Sequence, residues 1–140
     1  MRGTVLADTG PLVAYLDRQD QYHQWARERF AEIMPPLLTC ESIISEACFL
    51  TRNIPRGIES VMQLLEQGAV QVKFSVQVEV EPVSKLIRRY ADVPMSLADA
   101  CLVRMSELVT DCVVLTLDSD FHFYRRHGRK SIPLLMPPRA

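Results

Sequence analysis

An α/β fold, with a mostly parallel sheet and helices on both of its faces, is what this 140-residue sequence predicts. Three observations predict it. Short apolar runs alternate along the chain with stretches of helical periodicity. The first run, Thr4 to Ala7, suits a strand buried on both faces. Prolines and glycines fall where helices would start or stop. Strands separated in this way by helical segments pair in parallel, because parallel neighbours need a crossover between them. One domain covering residues 1–140 is expected, and at that length roughly 68–70% of the unfolded surface can be buried.

After the first strand, Pro11 fits the first turn of a helix reaching about Leu16. From Gln21 to Ile33, Tyr22, Trp25, Ala26, Phe30 and Ile33 keep helical spacing, with Arg27, Glu28, Arg29 and Glu32 off that face. Pro35 and Pro36 end this helix. "LLTC" is a second strand, followed by a helix from about Glu41 to Arg52. "PRGIESVMQLLEQG" predicts another helix, with Pro55 in its first turn, Gly68 as its stop, and a stripe of Ile58, Val61, Met62 and Leu65. In "VQVKFSVQVEVE" strict alternation argues for a strand, placed at Val70 to Phe74. Val83, Leu86, Ile87 and Tyr90 argue for a helix from about Glu81 to Ala91, and residues 75–80 are left unassigned. A helix from Leu97 to Val109 leads to the strand "CVVLTL". The basic segment "FHFYRRHGRK" precedes a last short strand, "IPLLM".

Composition narrows the function classes. With 48% apolar and 24% charged residues the chain is an ordinary globular protein. No apolar run approaches the ~20 residues of a membrane span. "MRGTVLADTG" turns acidic too early for a signal peptide, so a cytoplasmic location is expected. Cys40, Cys48, Cys101 and Cys112 lie in apolar contexts without a C-x-x-C pair, and read as core residues of a reducing compartment. The net charge of −1 offers no global attraction to nucleic acid, so any such binding must use local patches.

Ligand sites in such folds lie beyond the carboxyl ends of the strands. Asp8 follows the first strand there. Asp118 follows "CVVLTL" in the same way, with Asp120 two residues on. Each alone has a plain structural alternative as a turn or cap residue. Two strand-end acids in one parallel sheet would share a crevice. Glu46 falls at the edge of its helix's buried face, where it could also simply reach water. Asp99 sits near the start of its helix in "SLADACLV", and Ser96 with Asp99 matches the [ST]-x-x-[DE] capping pattern, a rival structural role.

The stretches "VLADTGPLVAYLD", "CESIISEACFL", "PMSLADACLVRMSE" and "VVLTLDSDF" together resemble the PIN-domain ribonucleases, particularly VapC-type toxins of prokaryotic toxin–antitoxin pairs. They stand in family order and span nearly the whole chain. The resemblance implies a three-layer fold around a parallel sheet of about five strands. It places the family's four acids on Asp8, Glu46, Asp99 and Asp118, with Asp120 as an accessory. Thr9 and Thr116 match polar positions that support the acids or water. It also implies an antitoxin partner and a homodimer.

The chemistry such acids serve follows from their repulsion. Two unit charges 4 Å apart at an effective dielectric of 20 repel by roughly 4 kcal/mol. Several carboxylates in one crevice therefore call for protons or a cation, and hard oxygen ligands without a His or Cys cluster select Mg²⁺ or Mn²⁺. Asp8, Asp99 and Asp118, with Asp120, are the expected metal residues, while Glu46 orients water or assists proton transfer. The expected reaction is hydrolysis of RNA phosphodiesters. Arg125, Arg126, Arg129 and Lys130, directly after "LDSDF", are the expected phosphate contacts, with "TRNIPR" and "LIRRY" as lesser basic groups. Tyr124 and His122 would stack on an unpaired base or pack internally. Two rivals remain: a haloacid-dehalogenase-type phosphatase, opposed by Gly10 where its second acid should stand, and a non-catalytic PIN-like binding module.

Overall fold

A computed structural model describes residues 3–138 of the chain. Its central sheet has five parallel strands in the order β3-β2-β1-β4-β7, where β1 is Thr4–Ala7, β2 Leu37–Thr39, β3 Val70–Val72, β4 Cys112–Leu115 and β7 Leu134–Leu135. Helices α1 (Thr9–Leu16), α2 (His23–Glu32), α3 (Glu41–Leu50), α4 (Gly57–Glu66), α5 (Val80–Arg89) and α6 (Leu97–Leu108) make the crossovers. The expected α/β class and parallel sheet are the ones observed. A small antiparallel hairpin, β5 (Arg125–Arg126) and β6 (Lys130–Ser131), was not expected.

The strand order explains where a site can form. From β1 the chain winds to β2 and β3 on one side, then returns to place β4 on the other. The winding reverses between β1 and β4, and loops leaving that edge diverge to leave a crevice. These two strands are also the deepest: Leu6, Ala7, Val114 and Leu115 are fully buried. Their full apolar character, with no alternation, follows from helices covering both faces. Against them lies α6, whose Ala98, Ala100, Cys101, Leu102, Val103 and Met105 are buried on almost every side. By contrast α2 buries only Ala26; its Phe30 stacks on Tyr15 at 4.3 Å and its His23 ring bonds to the Ala14 carbonyl at 2.7 Å.

Some boundaries differ from expectation for local reasons. Helix α4 starts at Gly57, so Pro55 precedes it and is not in its first turn. A Cβ at position 57 would lie 1.9 Å from the Thr51 carbonyl oxygen, so only glycine lets the two segments meet. Strand β3 ends at Val72, and residues 76–79 form turns running into α5. The alternation in "VQVEV" is therefore not a strand face, and Val78 points to solvent. All four cysteines are free thiols; Cys40, Cys101 and Cys112 are buried and Cys48 half-buried.

Candidate active site

β1 and β4 run in register, Ala7 beside Leu115, and the Asp8 amide donates to the Leu115 carbonyl at 2.9 Å. The next residues of both strands thus emerge at one level. There the Thr116 hydroxyl donates to Asp8 Oδ2 at 2.7 Å, while the Thr9 amide donates to Asp8 Oδ1 at 2.8 Å. Thr116 Oγ1 in turn accepts from the Asp118 amide at 2.9 Å. One hydroxyl, serving as donor and acceptor, joins the acids of the two strand ends. Asp118 Oδ1 then accepts from the Asp120 amide at 2.9 Å and opens a short 3-10 turn, Ser119–His122.

That turn carries the chain to Tyr124, which is fully buried and donates its hydroxyl to Asp99 Oδ2 at 2.9 Å. Asp99 lies in the first turn of α6, and its amide donates to Ser96 Oγ at 3.0 Å. Capping and site placement are therefore both features of this turn: Ser96 caps the helix, and the Asp99 carboxylate is bonded to Tyr124.

Electrostatics tie the three aspartates together. Burial pushes the Asp8 carboxyl up to about 6; the Thr116 and Thr9 hydrogen bonds pull it back, and the charges of Asp99 and Asp118 push it further up. Asp99 is also raised, first by burial and then by Asp118, against the hydrogen bonds of Tyr124 and Ser96. The charges of Asp99 and Asp118 make ionisation of Asp8 harder, and that of Asp118 makes ionisation of Asp99 harder, so a nearby positive charge would be favoured.

Glu46 is exposed on α3. No hydrogen bond or ion pair involves it among the described residues, and the leading influences on Asp8 and Asp99 come from elsewhere. Among the described residues, no three Asp, Glu, His or Cys side chains converge into a ready-made cation cage. The expected set of Asp8, Asp99, Asp118 and Asp120 is thus looser than a closed coordination shell. A loose set still fits Mg²⁺, which keeps several waters and takes only one or two carboxylates from its protein. The buried Thr9 hydroxyl, beside Asp8 and without a partner, is a polar group that a hydrated cation would satisfy. Thr9 holds Asp8 through its backbone amide, not through its side chain.

The basic segment divides. Arg126, expected on RNA, is buried and its guanidinium donates to the carbonyls of Ser106, Val109 (3.1 Å) and Thr110 (3.5 Å) at the end of α6. It closes a helix C-terminus, where unpaired carbonyls and the helix dipole favour a cation. Arg125 is half-buried and turned onto the carbonyls of His122 (2.8 Å), Phe123 (3.4 Å) and Tyr124 (3.1 Å). Arg129 and Lys130 are exposed and form no salt bridge among the described residues. Tyr124 is unavailable for base stacking, whereas His122 is exposed. The hairpin also meets "LIRRY": a Cβ at Gly128 would lie 3.7 Å from Arg89 Nη1, which brings two basic groups of the sequence together.

The roles of Tyr124 and Arg126 were missed by sequence reasoning, because their partners lie 25 and 20 residues away. At the position where a phosphatase's second acid would stand, Gly10 has little room: an added Cβ would lie 3.2 Å from the Leu117 side chain.

No family model matches the chain. Ribonuclease VapC26 of Mycobacterium tuberculosis is 24% identical over 126 residues, covering 88% of each chain. The crystal structure of Mycobacterium tuberculosis VapC20, a sarcin-ricin loop cleaving toxin, matches with a TM-score of 0.74 at 18% identity. That match covers 84% of this chain and 92% of the other. The chain thus resembles VapC-type PIN ribonucleases, and its α/β fold is PIN-like.

Proposed function

We propose that this chain is a metal-dependent ribonuclease that hydrolyses RNA phosphodiesters, a VapC-like toxin. One observation carries the reading: Asp8, Asp99 and Asp118, from three separate elements, share one electrostatic field at the reversal point of a PIN-like sheet. A buried aspartate with its carboxyl raised to about 6, beside two more, is a costly arrangement for structure alone. The likeness to ribonuclease VapC26 supports the same chemistry.

In this proposal Asp8, Asp99 and Asp118 hold Mg²⁺ or Mn²⁺, with Asp120 as an accessory. The bound cation supplies Lewis acidity toward a phosphate oxygen and lowers the pKa of a water. Asp8 is fixed by Thr116 and the Thr9 amide, so its carboxylate cannot swing away. Glu46, free at the surface of α3, is assigned to orienting water or moving a proton on the open side. Arg129 and Lys130, with Arg125 behind them, receive the phosphate backbone. An antitoxin, a homodimer and a cytoplasmic location belong to the same proposal.

RNA cleavage is the test. The purified protein should cut a susceptible RNA with Mg²⁺ or Mn²⁺, stop in EDTA, and lose activity on Asp8→Asn or Asp118→Asn. Cleavage that persists in EDTA with an equally active Asp8→Asn variant would sink the metal mechanism. The exposed position of Glu46 and the loose acid group favour a second reading, a non-catalytic PIN-like module. That reading predicts RNA or protein binding with no cleavage under any metal.

A further inference from the structure

Residues 124–126 hold α6 at both ends. Tyr124 is bonded to Asp99 in the first turn, and Arg126 donates to the carbonyls of Ser106, Val109 and Thr110 at the other end. The Tyr124 ring is wedged edge-on against Tyr90 (centroids 5.0 Å, 68°) and Phe121 (5.2 Å, 86°). Tyr90 is itself fixed, since its hydroxyl accepts the Arg125 amide at 2.9 Å. Such bracing leaves the Tyr124 hydroxyl almost no freedom of position.

A phenylalanine would fill the same buried space with no hydroxyl to satisfy. Asp99 is half-exposed, and could hydrogen-bond to water without help from the core. The bond between them is thus needed by neither packing nor solvation. What it does is stop rotation of the Asp99 carboxylate, in a group where the acids would otherwise turn apart.

We propose that Tyr124 is a positioning residue for Asp99, presenting its carboxylate to the cation shared with Asp8 and Asp118. This rests on the functional reading above, in which Asp99 serves the metal. Donors that orient ligating carboxylates typically contribute about 10–100-fold to metal affinity or activity.

The full-length protein and its Tyr124→Phe variant are titrated with Mn²⁺ without RNA, following the rise in melting temperature. RNA cleavage is then measured at saturating Mn²⁺. Tyr124→Phe should melt close to the parent in EDTA, need about 10–100-fold more Mn²⁺ for half its thermal shift, and lose kcat with KM for RNA unchanged. Val70→Ala, in β3 at the opposite edge of the sheet, loosens the buried core away from Tyr124 and Asp99; it should melt lower and keep the parental Mn²⁺ midpoint. A Tyr124→Phe midpoint and kcat within about two-fold of the parent overturn the proposal, as does an equal midpoint shift in Val70→Ala. A parent that Mn²⁺ does not stabilise also overturns it. If the midpoint shifts as expected but the parent cuts no RNA, the positioning role stands and the ribonuclease reading falls.

Discussion

At Thr116 a single hydroxyl decides how two acids stand. It is buried, donates to Asp8 and accepts from the Asp118 amide. Thr116→Val keeps the shape and removes both bonds, leaving a buried carboxylate oxygen and an amide without partners. Such losses cost about 1–3 kcal/mol per group, so the variant should unfold at clearly lower urea than the parent. An unchanged midpoint would mean that water replaces the hydroxyl. Asp99→Asn works in the other direction. Burial and Asp118 disfavour its charge, so removing that charge should raise the melting temperature in EDTA and abolish most of the rise given by Mg²⁺. A variant less stable in EDTA yet raised equally by Mg²⁺ would restrict Asp99 to its capping turn, worth roughly 0.3–1 kcal/mol. Asp8, Asp99 and Asp118 were legible as candidates in the sequence because strand ends and helix starts are local patterns; Glu46, exposed on α3, stands apart from them. Their partners were not: nothing near Tyr124 or Arg126 in sequence indicates α6, and only the fold brings them there.

For an element the question is which of its charges are spent on structure. The hairpin β5–β6 answers it residue by residue. Arg126→Ala removes charge-assisted bonds to the end of α6, and should cost about 1.5–3 kcal/mol in denaturant unfolding. Its effect on RNA binding should then reflect damage to the fold and not a lost phosphate contact. Arg129→Ala and Lys130→Ala, both at exposed positions, should change stability by less than about 0.5 kcal/mol. Each should lower the salt slope of RNA binding by about 1. Equal slopes in parent and variants would move the phosphate track off this hairpin. The hairpin escaped sequence analysis because each of its strands has two residues, with no apolar alternation to mark them. Its tip carried a faint signal in His127 and Gly128, both of which adopt the left-handed backbone (φ 54° and 80°) that such loops use. Residues 75–80 failed differently. Their valines keep period two, but in a turn and a helix start that period has no structural meaning.

Across the whole molecule, the same sheet order that makes a stable three-layer core also gathers acids at its open edge. The alternation of strands and helices was enough to read the class, because buried parallel strands leave a continuous apolar trace. The acid edge has a consequence for stability as a function of pH. Asp8 titrates near 6 in the folded chain against 3.8 for an ordinary carboxyl, so folding favours its protonated form. Its contribution is complete below about pH 4 and is lost as pH rises through about 6, a change on the order of 3 kcal/mol in metal-free protein. A cation held by these acids would act on the opposite side of that transition, since it would bind the ionised carboxylates and could not compete with the proton at low pH. At 100 times its dissociation constant it would return about 2.7 kcal/mol. Melting curves in EDTA and in excess Mg²⁺ should therefore lie close together near pH 5 and separate above about pH 6. Asp8→Asn should bring the two curves together at every pH. A separation that is the same below and above the Asp8 transition would show that Mg²⁺ acts elsewhere, and would detach this aspartate from the metal.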